Sequence, residues 1–257
     1  ISVATGLLSP PPHLRCRVTA ACVVALLVVT AVPFLAKPVC RVTFLDVGQG
    51  DCILVESSNA VALVDTGPLV SGGSRTLSYL RRKGISQLDY LLVTHWHEDH
   101  AGALGAILNA INVRAVVCPS LPPGSAEVSR LARAKVLVPE ETSPMALNLG
   151  SCRLEVITCA VKQLANQASN ENQRALLSKL TCSGVEVLLT ADLPAQTVIK
   201  NMVFLAGGAQ FKVLKIPHHG AADSCLAELL DNYRPEVCVI SVGGNSYGHP
   251  SEATLNL

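Results

Sequence analysis

Residues 94–100 read THWHEDH, and they place His95, His97, Asp99 and His100 within six positions. Three of the chain's seven histidines fall in this one stretch. It directly follows LDYLLV (88–93), a nearly continuous apolar run of strand character. Alternate residues of an extended segment point the same way, so His95 and His97 can grip one cation together. Asp99 and His100 continue into a turn and can face a second. Imidazole and carboxylate donors suit Zn, Fe or Mn, and no thiolate is needed. Glu98 points away from this pair and reads as solvated, while Trp96 packs beneath the loop.

The same arrangement recurs along the chain. LDVGQGD (45–51), LVDTG (63–67), TAD (190–192), PHHG (217–220) and YGHP (247–250) each close an apolar run. Six of the seven histidines lie in these loops or in THWHEDH, and only His13 lies elsewhere. Loops on a rigid scaffold are where chemistry collects. Two ions about 3.5–4 Å apart need a bridging carboxylate. Asp192, after VEVLLT, is the natural candidate, and His249 could supply a further imidazole to the second ion. As a lone residue Asp192 would read as a turn or cap.

Strand-like runs come first, then strands alternating with helices, then strands again. That order suggests two sheets with helices packed outside, an α+β architecture. Ser251 reads as the cap of a final helix, and Pro194 falls in the first turn of another. Residues 1–17 read as a loop. Residues 18–36, VTAACVVALLVVTAVPFLA, carry no charge. They come close to the roughly 20 apolar residues that a membrane-crossing helix needs. A secretory signal fits less well, because bulky Phe34 stands where a small residue is expected before a cut. Arg15 and Arg17 on one side balance Lys37 and Arg41 on the other, so orientation is not set. The chain reads as a piece of something longer, with a domain over 40–257 that is incomplete at its C-terminal end.

A formal net charge of +1 excludes a broad positive field. Contact with nucleic acid must then come from a local patch or from bound metal. Arg81, Arg82 and Lys83, and Arg130, Arg133 and Lys135, read as solvated faces. No helix-turn-helix, zinc finger or aromatic-rich single-strand platform is visible. The ten cysteines contain no CxxC pair. Cys52, Cys118, Cys152, Cys159, Cys182 and Cys238 lie in or beside apolar runs and read as small core residues, with disulfides left open.

The HxHxDH pattern at 95–100 resembles the signature of the metallo-β-lactamase superfamily. FLDVGQGDCILVE, LVDTG, THWHEDHAGAL, LLTADL, KIPHHG and ISVGGNSYGHP together resemble the hydrolase domain of ComEC-type DNA-internalisation channels. The resemblance covers roughly residues 40–257. It implies an αββα four-layer sandwich with two divalent ions, Zn or Mn, at one edge. Carried over, His95 and His97 bind the first ion, Asp99, His100 and His249 bind the second, and Asp192 bridges. Asp65 orders the metal loop by hydrogen bonds, and Asp46, Gln49 and Asp51 belong to a hairpin beside the site. Asp99, His218 and His219 are the candidate catalytic residues. The resemblance gives a histidine of the HHG motif either a metal or a leaving-group proton, and we place His219 near the metals and His218 near the substrate.

The implied activity is metal-dependent phosphodiester hydrolysis: ions that make hydroxide near neutral pH and neutralise phosphate charge. The implied substrate is the DNA strand that does not enter the cell, in single-stranded form. The implied setting is the extracytoplasmic face of a bacterial membrane, beside the remainder of the channel protein. A small-substrate hydrolase of phosphoryl esters or lactams, and a non-catalytic metal-loaded docking domain, are the competing readings. Ala191, Ala175 and Ala221 stand where the family often has Gly, Ser and Ser. No histidine lies between His100 and His218, where lactamase-type enzymes usually carry one.

Overall fold

The computed structural model describes Cys22, Val23 and residues 40–257, apart from 72, 122–130, 132, 141–142, 160–170, 206, 223 and 225. The chain divides into two units, Ile1–Pro38 and Val39–Leu257. Of the first, Cys22 and Val23 are helical and exposed. The expected span over 18–36 and the loop over 1–17 otherwise lie outside the described residues. Among the described residues, no helix is long and apolar enough to cross a membrane.

The second unit is built on two six-stranded mixed sheets. The first runs in the order β1 (Cys40–Phe44), β2 (Ile53–Ser57), β3 (Val61–Val64), β4 (Gln87–Leu92), β5 (Asn112–Val117), β6 (Lys135–Leu137). Its first three strands are antiparallel and the rest parallel. The second sheet runs β7 (Met145–Leu149), β8 (Cys152–Thr158), β9 (Leu176–Cys182), β10 (Val185–Leu189), β11 (Phe211–Lys215), β12 (Val237–Val239). It too begins antiparallel and ends parallel. The β9–β10 turn is Ser183-Gly184, with φ of +49° and +81°. Two positive φ values are what a tight two-residue hairpin needs.

The layers follow from period-two alternation on strands that are buried on both faces. Val55, Val64 and Leu92 face Leu154, Leu180 and Leu189 of the second sheet. Their neighbours Leu54, Leu63 and Leu91 turn outward onto α1 (Arg75–Arg82) and α3 (Leu104–Ala110), meeting Leu80 and Ile107. On the far side, Leu177, Leu188 and Leu214 meet Val198 of α4 (Ala195–Asn201) and Leu229 of α5 (Ala227–Tyr233). The three cores define helix, sheet, sheet, helix, the expected αββα order. Each such leucine contributes roughly 1.5–3 kcal/mol by leaving water.

Smaller expectations divide. Ser251 caps α6 (Glu252–Leu255) by accepting from the Thr254 amide at 3.1 Å. Pro194 is the N-cap of α4, one position before its first turn. The end of THWHEDH forms α2 (Glu98–Ala101), separated from α3 by Gly102 and Ala103. Strands β6 and β7 were not anticipated. Cys52, Cys118 and Cys159 are buried thiols as expected. Cys152 and Cys182 are directly opposed, 4.5 Å apart at Cα, and form a disulfide. Cys238 is exposed, because β12 is an edge strand.

Candidate metal centre

The site forms where strands of both sheets end. β3 delivers Asp65, and β4 delivers Thr94, His95 and His97. The short helix α2 carries Asp99 and His100. β10 delivers Asp192, and β11 delivers Lys215, His218 and His219. Donor atoms of Asp99, His100, Asp192 and His219 lie within 4.8 Å of one another, as do those of His95, His97 and Asp192. Asp192 belongs to both groups: its Oδ1 is 3.2 Å from His100 Nε2, and its Oδ2 is 3.9 Å from His95 Nε2.

Hydrogen bonds on the far side of each ring set which nitrogen faces inward. His100 Nδ1 meets Asp65 Oδ2 at 2.8 Å, and His219 Nδ1 meets the Ser241 carbonyl at 2.8 Å. In a neutral ring whose one proton is donated outward, Nε2 presents a lone pair inward. His100 Nε2 faces Asp192 Oδ1, and both atoms are buried without a well-oriented hydrogen bond. His219 Nε2 faces Asp99 Oδ2 at 3.1 Å. Between neutral rings and carboxylates acceptor would face acceptor, so each pair needs a positive charge between its atoms: a proton in the metal-free protein, or a divalent ion in its place. The donor set therefore fits divalent metal.

The metal-free protein holds that charge as protons. Burial, then the charge of His100, holds His95 neutral, its pKa pushed down to about 2. Burial also acts to lower His100, but the carboxylates of Asp192 and Asp65 outweigh it and hold its pKa well above the ordinary value. Burial raises Asp99, yet the hydrogen bond from His219 and the charge of His100 bring it down to about 2. Asp192 is likewise held well below its usual range, against its burial, by His100 and Lys215.

Asp65 has no oxygen to spare for a metal. Its Oδ1 accepts from the Thr94 amide at 2.8 Å, and its Oδ2 accepts from Thr94 Oγ1 at 2.7 Å as well as facing His100. Asp51 is buried, in an ion pair with the fully buried Lys215 ammonium. Lys215 also donates to the Ala191 carbonyl at 3.1 Å and lies 4.0 Å from Asp192 Oδ1. Gln49 accepts from the Gly243 amide at 3.4 Å. Asp46 is exposed and outside both donor groups, with its Oδ1 3.6 Å from Arg75. A Cβ on Gly50 would stand 2.2 Å from the Asp99 carbonyl, so this hairpin packs backbone to backbone against the metal loop.

His218 and His219 take different places. They do not alternate along a strand; both are left-handed, with φ of +46° and +53°. The turn drives His219 into the donor group and leaves His218 on the wall, its Nε2 3.9 Å from Asp192 Oδ2 and 3.4 Å from Asn172 Nδ2. His249 is in neither donor group. Its ring packs against those of His218 and Tyr247, at centroid distances of 5.3 and 5.8 Å. The donor groups open into a cavity of about 1180 Å³ whose lining includes Arg75, His218, Tyr247 and His249. Arg75 is its one Arg or Lys among the described residues. Arg81, Arg82, Lys83, Arg133 and Lys135 are not among its lining residues, and Arg130 lies outside the described residues.

Residues 45–131 match the metallo-beta-lactamase superfamily, and the chain carries a domain of that family. The chain is similar to ComE operon protein 3 of Bacillus subtilis, at 27% identity over 239 residues, covering 84% of this chain and 30% of that protein. Recombination protein 2 of Haemophilus influenzae is 30% identical over 224 residues, covering 81% and 25%. Competence protein ComA of Neisseria gonorrhoeae is 26% identical over 216 residues, covering 84% and 29%. The chain thus spans under a third of each. Among solved structures, CmlA, a diiron beta-hydroxylase from Streptomyces venezuelae, shares the fold with a TM-score of 0.54 at 18% identity, over 86% of this chain and 50% of that one.

Proposed function

We propose that this domain is a dinuclear metallo-phosphodiesterase that cleaves DNA. In that reading it serves a bacterial DNA-uptake channel and degrades the strand that is not transported. The observation that carries it is Asp192 shared between two donor groups at the base of a wide, open cavity. His95 and His97 would hold one ion with Asp192, and Asp99, His100 and His219 would hold the other with it. Bound there, a pair of Zn or Mn ions supplies Lewis acidity and a strong nucleophile at neutral pH. Asp65 and the Ser241 carbonyl keep His100 and His219 turned inward. His218, partly exposed on the wall beside Asp192, gives its proton to the leaving oxygen. Arg75 meets a phosphate of the strand.

Similarity to competence proteins supports DNA as the substrate and a membrane setting. The Cys152–Cys182 disulfide suits an oxidising, extracytoplasmic face. The cavity exceeds the roughly 300–1,000 Å³ typical of drug-sized ligand sites, which favours a polymer over a small ester or lactam.

The test is cleavage of single-stranded DNA by the full chain loaded with Mn or Zn. Metal-dependent cleavage should be abolished in an Asp99→Ala, His100→Ala variant. A wild-type protein that carries two ions and leaves DNA intact overturns the proposal.

A further inference from the structure

The loop after β12 contributes nothing to the donor groups, yet it is held firmly in place. Asn245 is its clamp. The side chain of Asn245 donates to the carbonyls of Gly243 and His249 at 2.9 and 2.8 Å. It accepts from the amides of Tyr247 and His249 at 3.0 and 3.2 Å. Gly243 packs on the backbone of Gly48 so closely that a Cβ would stand 2.4 Å from its carbonyl carbon. This arrangement joins the loop to the 45–51 hairpin as one wall of the cavity.

The clamp presents Tyr247 to solvent. It is 74% exposed in a chain with only four tyrosines, four phenylalanines and one tryptophan. An aromatic ring gains nothing for folding in that position. It does, however, begin a row of rings that leads inward. Tyr247 lies against His249 at a 34° tilt, and His249 lies edge-on to His218, which stands beside Asp192.

We infer that Tyr247, backed by His249, is a stacking platform for a nucleobase next to the scissile phosphate of a single-stranded nucleic acid. The inference rests on the phosphodiesterase reading and specifies its substrate. A base in a duplex already has both faces covered, whereas a single-stranded base has a face free to stack. Stacking is also sequence-tolerant, because every base has such a face. Arg75, on the lining of the same cavity, supplies a charge for the backbone. The ring and this cation together match the minimal equipment of a non-specific single-strand site.

The experiment measures binding, so it does not depend on turnover. The metal-loaded full chain is titrated into two fluorescein-labelled, phosphorothioate-linked strands of equal length. One is a six-nucleotide thymidine strand; the other is abasic at every position. Both carry the same charge. The wild type should bind the base-bearing strand roughly 5- to 150-fold more tightly, as expected for loss of about one stacked base. Tyr247→Ala should collapse that ratio, and Tyr247→Phe should retain it. Equal binding of both strands by the wild type, or an undiminished ratio in Tyr247→Ala, overturns the inference. Failure of the phosphodiesterase reading is a separate result: an intact base preference with no cleavage of an unmodified strand at two bound ions.

Discussion

Replacing Lys215 with Met should be among the most damaging single changes in the domain, although Lys215 is no metal donor. The lysine side chain is fully buried, and so is Asp51, its ion-pair partner. Met keeps most of the volume and removes the charge. The Asp51 carboxylate then stays buried, 3.8 Å from His100 Nδ1 and from His219 Nδ1, with its main counter-charge gone. Breaking a buried pair by removing one partner costs about 3–5 kcal/mol, whereas replacing both partners is often close to neutral. At a urea m-value of ~2–3 kcal/mol per M this amounts to a midpoint shift of roughly 1–2.5 M. Asp51→Asn combined with Lys215→Met should therefore be more stable than Lys215→Met alone, a non-additive cycle. Bound metal should soften the loss, because a divalent ion compensates the same carboxylates. The assay is urea unfolding of the four proteins of the cycle, in chelator and at saturating Mn. A cost below ~1 kcal/mol for Lys215→Met, or single effects that simply add, would refute the reasoning.

Other outcomes follow from the same geometry. Asp192→Asn should lower the metal content by more than one ion per chain, because its carboxylate belongs to both donor groups, whereas His249→Ala should leave two ions bound; elemental analysis of the purified proteins separates the two. In the chelated protein, Asp99 is depressed to about 2 in the folded state. Its stabilising contribution is therefore present above the unfolded value near ~4 and is lost as pH falls through about 2. Acid titration of stability should show that slope in the wild type and a shallower one in Asp99→Asn.

What the sequence made legible was whatever a single strand end carries by itself. His95, His97, Asp99 and His100 come from one segment, so their spacing alone specified a two-sided donor set. The hydrogen-bonding role of Asp65 came from the family resemblance, and its bonds to Thr94 and His100 are of that kind. The layer order was legible too, because strands such as LDYLLV are apolar on both faces and must be covered twice. What strand reasoning could not supply was any contact between distant loops. Whether His219 or His249 lies near Asp99 depends on the turn at 217–220, where two consecutive left-handed residues bring His219 Nε2 to 3.1 Å from Asp99 Oδ2. Lys215 alternates with apolar neighbours in FKVLK, which is also how a lysine on a solvated strand reads. Its burial follows only from Asp51, which lies 164 positions away and completes its ion pair.

Those left-handed residues are themselves informative. Asp65, Ala191, His218 and His219 all have positive φ, and all stand at strand ends in this one site. For a residue with a side chain that conformation costs roughly 1–2 kcal/mol, and none of the four is glycine. Ala191 occupies the position where the resembling family often carries Gly, and its φ of +49° gives the physical reason glycine is used there. The backbone is held in that form by its contacts: the Ala191 carbonyl accepts from both the Lys215 ammonium and the His218 amide. Lys215 therefore acts at three places at once. It neutralises Asp51, it lies beside Asp192, and it anchors the strained turn from which Asp192 and His218 are both aimed. Strain of this kind persists only where the surroundings over-determine it. Here the surroundings are two sheets buried on both faces, whose strands cannot shift without opening two cores. The rigidity that places five donor residues around one shared carboxylate is thus supplied by the leucines of β2, β3, β4, β9 and β10, far more than by the polar residues themselves.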